Sequence, residues 1–354
     1  MILYVLRYFP TLTETFAHDE LRGVAAAGVP VALAAFGSRA DPGTEPLGHP
    51  VYHPPHRWGW LPWLPALLLE WFRSPGYVLP RVLWLAVLLR RLQVQRVHVH
   101  FAGEAAEWAA AAAARVGLPV GITVHAVDLF KPRPGLGRLL AQAHPLVTIS
   151  AYNQAWIDRV YGRKAALVPC GVRLREPKVR APATPPVFLS AGRWVPKKGF
   201  PILMDAMVGL PATLELYSDL PPLPPPPPSV VPKGLRPRAE LHAAMDRATA
   251  FVLPCVVAPD GDQDGIPVVI LEAMAAGLPV VTTAVSGIPE LVDNEVGWLL
   301  PPGDVEALRA ALWEVLKNPE EAAERGRRGR ARVEQQGRSL QAQVHGMLEL
   351  WGRP

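Results

Sequence analysis

Short apolar runs rich in Val, Ile and Leu alternate along this chain with longer stretches in which Ala and Leu recur at helical spacing. In the first half, runs 1–6, 30–35, 97–100, 120–125 and 146–149 read as strands, and 14–27 and 104–116 read as helices. Strands that are brief and apolar throughout are what a parallel sheet shows when helices cover both of its faces. The stretch 172–186, VRLREPKVRAPATPP, has no hydrophobic period and carries four prolines, which marks a linker. The alternation then resumes, with strands at 187–191, 213–217, 250–253 and 280–283. Helices fall at 200–208, 239–248, 268–276 and 305–316, and a long charged helix follows. The expected fold is α/β: a first Rossmann-like domain over 1–172, a linker over 173–186 and a second Rossmann-like domain over 187–335. A C-terminal helix, 336–354, is expected to pack back on the first domain.

Composition narrows this picture only a little. At 354 residues the chain suits two domains with their own cores, and with half of its residues apolar and 19% charged it is globular rather than disordered. Its first residues, MILYVLRYFP, lack the n-region, long h-region and cleavage site of a secretory signal, so a cytoplasmic address is expected. Cys170 and Cys255 are the only cysteines and suggest neither a disulfide framework nor a thiolate metal site. A net charge of +5 suits a phosphate-bearing partner without choosing among nucleic acid, anionic lipid and nucleotide. The proline tract PPLPPPPPS, 221–229, excludes helix and central strand and is read as a surface loop.

Residues 57–93 hold Trp58, Trp60, Trp63, Trp71 and Trp84 with Arg57, Arg73, Arg81, Arg90 and Arg91 against one acid, Glu70. The longest apolar run there, 82–89, is too short to cross a bilayer, which takes ~20 residues. Two readings stand: helices that pack onto the sheet with Arg facing water, or a helix pair lying in the interface of an anionic membrane.

Chemistry is expected just beyond the strands, because open parallel sheets bind ligands outside their carboxyl ends. After strand 187–191 comes GRWVPKKGF, with Arg193, Lys197 and Lys198 in a strand-to-helix loop. A guanidinium fork and a mobile ammonium together suit a diphosphate leaving group. After strand 250–253 a loop carries Asp260, Asp262 and Asp264, and Gly265, Ile266, Pro267 and Val268 lead into a helix containing Glu272. A helix start suits phosphate, and carboxylates suit vicinal hydroxyls of a ribose or sugar. Taken alone, Asp264 also fits an acid complementing the helix dipole, and Glu272 a solvated surface residue.

GRWVPKKGF, DGIPVVILEAMAAGLPVVTTAVSGIPELV and GWLLPPGD, in this order, resemble the donor half of retaining family 4 glycosyltransferases, whose GT-B fold sets two Rossmann-like domains facing a central cleft. FPTLTETF, VHVHFAGEAAEWAA, ITVHAVD, ISAYNQAWIDRVYG and VPCGV are similar to exopolysaccharide members, of the colanic-acid type. The resemblance implies that Arg193 and Lys198 grip the donor diphosphate, that the turn 265–268 binds the donor, and that Glu272 holds its ribose. Asp264 matches an acid, more often glutamate, that contacts the transferred sugar, and His125 a histidine near sugar and phosphate. Glu14 and His100 are placed on loops of the acceptor side. Asp264, Arg193, Lys198 and His125 are thus the expected catalytic set.

The resemblance further implies a nucleotide-sugar donor (UDP or GDP), a glycan or lipid-linked acceptor, no cofactor, no metal and no nucleic acid. The three acids of the loop lack the ligand spacing of a calcium hand and are read as solvated. Two departures are visible: FPTLTETF has no glycine-rich turn, and YSDLPPLPPPPP replaces a Gly-x-Gly-Pro-like turn near the nucleobase. Two other functions fit the sequence less well. A sugar-nucleotide-binding protein without catalysis is disfavoured by the joint presence of Arg193, Lys198, Asp264 and Glu272. A dinucleotide oxidoreductase is disfavoured because no Gly-x-Gly-x-x-Gly follows a strand.

Overall fold

A computed structural model describes all residues except 12–14, 39–46, 74–78, 177–183, 220–225 and 353–354, and the side chains at 57 and 58. The expected acceptor residue Glu14 and most of the proline tract lie outside the described residues. The chain divides into two compact units: unit 1 holds Met1–Ile149, Gln154–Val168 and Val344–Pro354, and unit 2 holds Ser150–Asn153 and Pro169–Gln343.

Unit 1 runs β1 (Ile2–Tyr8), α1 (Thr15–Ala26), β2 (Val31–Gly37), β3 (Val51–Tyr52), α2 (Leu64–Arg73), α3 (Pro80–Arg91), β4 (Arg96–His100), α4 (Glu104–Val116), β5 (Val120–Val124), α5 (Ala126–Phe130), α6 (Leu136–Gln142), β6 (Leu146–Thr148), α7 (Ala151–Tyr161) and β7 (Ala166–Leu167). Its strands form one parallel sheet in the order β3-β2-β1-β4-β5-β6-β7. Period-two alternation sorts the side chains of the central strands. Leu3, Val5, Val97, Val99, Ile122 and Val124 join the apolar core, where Trp84 and Leu85 of α3 and the alanines of α4 cover them. Alanine lets α4 lie close to the sheet, and each fully buried leucine such as Leu85 contributes about 2 kcal/mol. The opposite face is polar: Tyr4, His98, His100 and Thr123, all buried.

Unit 2 continues with β8 (Val187–Ala191), α8 (Phe200–Ala206), β9 (Thr213–Tyr217), β10 (Val230–Pro232), α9 (Arg238–Arg247), β11 (Ala250–Leu253), α10 (Val268–Ala275), β12 (Val280–Thr283), β13 (Trp298–Leu300), α11 (Val305–Lys317) and α12 (Pro319–Gln335), and α13 (Leu340–Leu350) begins in unit 2 and belongs to unit 1 from Val344 on. Its sheet, again all parallel, has the order β10-β9-β8-β11-β12-β13. Ser190 donates to the carbonyl of Val252 at 2.5 Å, and Thr282 to that of Leu253 at 2.8 Å, so hydroxyls tie the carboxyl ends of β8, β11 and β12 together. These two α/β units with parallel sheets are the composition of the GT-B fold. In both sheets the strand order reverses between the first strand and its later neighbour, at β1/β4 and at β8/β11, the switch point where such sheets bind ligands.

Several local expectations change. The edge strands β3, β7, β10 and β13 are two or three residues long, too short to display any period. His100 is the buried last residue of β4, not a loop residue. The Trp-rich segment splits. A 3-10 turn (Arg57–Trp63) and α2 leave Leu61, Leu64, Leu68, Leu69, Trp71 and Phe72 exposed, whereas α3 buries Val82, Trp84, Leu85 and Val87.

Candidate functional site

At the switch point of unit 2, the loop after β8 and the loop after β11 meet. Gly199 makes the first loop possible: it holds φ +65, and a Cβ there would stand 2.0 Å from the carbonyl oxygen of Pro254. Only glycine fits both the left-handed backbone and that close approach. The turn presents Lys197 and Lys198 to the second loop. Lys198 Nζ lies 2.7 Å from Asp264 Oδ2 and Lys197 Nζ 3.5 Å from Asp264 Oδ1, while Lys197 also reaches Asp262 at 2.9 Å. The acids Asp262 and Asp264 are therefore not solvated, contrary to expectation, and Lys197 is buried rather than part of an exposed fork.

Burial alone would push Asp264 up, but the ammonium groups of Lys198 and then Lys197 hold its carboxyl below the ordinary value. Burial likewise opposes the charge on Lys198, and the Asp264 carboxylate beside it overcomes this and raises its pKa. Cys255 donates weakly to Asp264 Oδ2 at 3.6 Å, and burial, then the Asp264 charge, push its thiol up, so it stays protonated. Arg193 is exposed at the end of β8 and its charge acts on Lys198. Gly265, Ile266 and Pro267 are buried, with Pro267 at the N-cap of α10 and Val268 its first residue.

Glu272 projects from the middle of α10. Arg238 Nη2 lies 2.7 Å from its Oε1, and His242 Nε2 3.7 Å from the same oxygen. With 9% of its side chain exposed, Glu272 is not the surface residue its helix position also allowed. Arg238 and His242 were not foreseen. The available signal was their spacing of four on α9, which puts both on one helix face.

In unit 1, His125 is the N-cap of α5, directly beyond β5. It shares a reciprocal capping box with Asp128, whose carboxylate accepts from the His125 amide at 2.9 Å. His125 Nε2 is 3.2 Å from His100 Nδ1, and His100 Nε2 is 3.3 Å from Glu20 Oε1, which also accepts from the Tyr4 hydroxyl at 3.0 Å. His98 Nε2 meets the Thr123 hydroxyl at 3.0 Å. Burial drives His125 well below the imidazole value and His98 down to about 3. Glu20 and His98 were missed as members of this cluster. The alternation His98-Val99-His100 on a strand was the visible signal.

Comparison with known proteins places this geometry in a family. Residues 13–176 match the family model described as Glycosyltransferase Family 4, and residues 185–318 match Glycosyl transferases group 1. The chain belongs to the family 4 glycosyltransferases. Amylovoran biosynthesis glycosyltransferase AmsK of Erwinia amylovora is 52% identical over 80 residues, 22% of this chain and 20% of that protein. The GDP-mannose-dependent alpha-(1-6)-phosphatidylinositol monomannoside mannosyltransferase of Mycolicibacterium smegmatis is 31% identical over 231 residues, 56% of this chain and 59% of that protein. The matched segments thus span less than two thirds of these relatives' own length. Among solved structures, Anabaena Alr3699/HepE in complex with UDP and glucose superposes with a TM-score of 0.75 at 18% identity, covering 99% of each chain. Within this family 4 chain, both clusters lie at the switch points of their sheets, and all four ionic residues of the donor motif lie in unit 2.

Proposed function

We propose that the protein is a retaining glycosyltransferase that moves a sugar from a UDP- or GDP-sugar to a hydroxyl of a glycan or lipid-linked acceptor in envelope or exopolysaccharide synthesis. The observation that carries this reading is the Lys198–Asp264 pair at the β8/β11 switch point, with Arg193 beside it. When the bond between the anomeric carbon and the phosphate oxygen breaks, its electron pair goes to the diphosphate. Arg193, Lys198 and the start of α10 supply positive charge for it, and no metal is needed for that task. Asp264, an acceptor of hydrogen bonds only, orients hydroxyls of the transferred sugar, and Glu272 takes the ribose. The acceptor oxygen attacks from the face the leaving group departs, and its proton passes to the leaving phosphate oxygen. HepE was solved with UDP and the mannosyltransferase is GDP-mannose-dependent, so both bases belong in the test. Titration calorimetry with UDP and GDP should show at least one of them binding, with Lys198→Ala and Arg193→Ala weakening it at least tenfold. Unchanged affinity in both variants would remove the diphosphate assignment.

The acceptor-side unit is proposed to rest on the cytoplasmic face of an anionic membrane. Supporting this, Leu68, Leu69 and Phe72 of α2 are 54%, 54% and 68% exposed, and Arg73 and Arg90 flank them while the one acid, Glu70, is buried. Apolar side chains with a basic rim suit an interfacial helix. No helix of the described residues is long and apolar enough to cross a membrane. Flotation with anionic and neutral vesicles tests this: Leu68→Glu/Phe72→Glu should abolish binding to the anionic ones. Absence of wild-type binding at low salt would refute it.

A further inference from the structure

In unit 1 the buried polar cluster is a hydrogen-bonded chain that runs from Tyr4 through Glu20 and His100 to His125. The Tyr4 hydroxyl lies 3.0 Å from Glu20 Oε1 and donates to it when that carboxylate is ionised. An ionised Glu20 also requires a proton on His100 Nε2, 3.3 Å away. If His100 is neutral, that proton is its only one, and Nδ1 is left as an acceptor. His125 Nε2, 3.2 Å from it, must then be the N–H that donates. The lone pair of a neutral His125 is left on Nδ1, which suits its side chain's half of the capping box with the Asp128 amide. The rings of Phe16 and Phe101, with centroids 4.9 and 4.4 Å from that of His125, close over it. Phe101 does so from a left-handed backbone of φ +70, a conformation that costs a non-glycine residue of order 1 kcal/mol.

We propose that Glu20 and His100 are positioning residues that lock His125 in its Nε2–H tautomer, so that His125 acts by pinning the turn after β5 and not by exchanging a proton with substrate. The inference rests on the reading that this turn belongs to the transfer site, but it can fail separately. Glu20, His98 and His100 also bring ligand atoms within 4.8 Å of one another, which a divalent metal could bridge. The hydrogen bonds favour the relay, because they already use the facing nitrogens: His98 Nε2 on Thr123, and both nitrogens of His100.

The protein, labelled with 15N at its 10 histidines, gives the test by long-range 1H–15N correlation at pH 7, with His125→Asn supplying the assignment. The expected result is a proton on His125 Nε2 and none on Nδ1, with Glu20→Gln yielding a tautomer mixture. A proton on Nδ1, or insensitivity to Glu20→Gln, would overturn the proposal. If Glu20→Gln does not fold, Tyr4→Phe keeps the carboxylate and should leave the tautomer unchanged; a switched tautomer there would count against it. Asparagine can place Oδ1 where His125 has Nδ1, so His125→Asn should recover most of the amide protection of α5 that His125→Ala loses. Equal loss in both would sink the capping role. Zinc chloride that stabilises the wild type but not His98→Ala would assign the cluster to a metal instead. Loss of nucleotide binding with an intact His125 tautomer would fault the transferase reading and not this one.

Discussion

The two sheets share a topology but fill their switch points with opposite electrostatics. At β1/β4, unit 1 buries histidines, a tyrosine and one glutamate, and burial drives His98 and His125 toward their neutral forms. At β8/β11, unit 2 buries charges and balances them in pairs, with Lys197 and Lys198 around Asp264. The difference shows that the same crevice geometry can be set for ordered hydrogen bonds in one half and for compensating charge in the other. Only the second kind holds ammonium groups, which the proposed diphosphate donor would require.

Breaking the pair in unit 2 should have the largest effect. Asp264→Asn leaves Lys197, 5% exposed, with Asp262, and takes from Lys198, 12% exposed, the carboxylate it pairs with. Removing one partner from a buried pair typically costs 3–5 kcal/mol. The expected result in urea denaturation is a loss near the lower part of that range, with turnover falling more than nucleotide affinity. A loss under about 1 kcal/mol would mean that the charges are hydrated and that the contrast between the two units is overstated.

Acid should act on the other unit first. His18, lowered to about 4, His98, lowered to about 3, and His125, lowered well below the ordinary imidazole value, owe these shifts mainly to burial. A folded pKa below the unfolded one means that the unfolded state binds more protons in between. Stability is thus complete above about 6.5 and falls as pH drops, by up to ~1.4 kcal/mol per pH unit for each histidine. Asp128, which burial raises to about 6, works in the opposite direction between that pH and 3.8 and offsets one of them. Asp264, held low by the lysines, stays ionised through this range and is lost only below its ordinary value. Hydrogen exchange followed from pH 7 to pH 4.5 should therefore open β4 and β5 before β8 and β11. Simultaneous opening would erase the distinction.

How much of this was legible in the sequence follows from what each feature depends on. Both sheets and most of their central strands could be read because four or five apolar residues bounded by Gly, Pro or a helix pattern are a local signal. The two-residue strands β3 and β7 carry no such signal and exist through pairing with a neighbour. The donor motif was readable as residues in order, yet not as contacts. Sequence spacing placed Lys197 and Lys198 together but could not say that Lys197 would turn inward to Asp262. Glu20 was invisible as a partner of His100, 80 residues away, because only the packing of α1 over β4 joins them.

Glu272 provides the smallest and sharpest comparison. Its carboxylate is at least as buried as that of Asp264, with 9% against 14% of the side chain exposed, so burial of the acid alone would predict an equal cost for its loss. What differs is the cation left behind. Arg238 keeps 21% of its side chain in water, and a guanidinium is more weakly hydrated than an ammonium and tolerates partial burial. Glu272→Gln should therefore destabilise by only about 1 kcal/mol, while nucleotide affinity falls about tenfold if the ribose depends on this carboxylate. Arg238→Ala separates the roles: it frees Glu272 from its partner at 2.7 Å and should leave affinity unchanged or raised if the arginine merely occupies the acid. A fall in affinity as large as that of Glu272→Gln would instead make Arg238 a contact of the nucleotide, and unit 2 would then hold two separate cationic contacts where the sequence had suggested one.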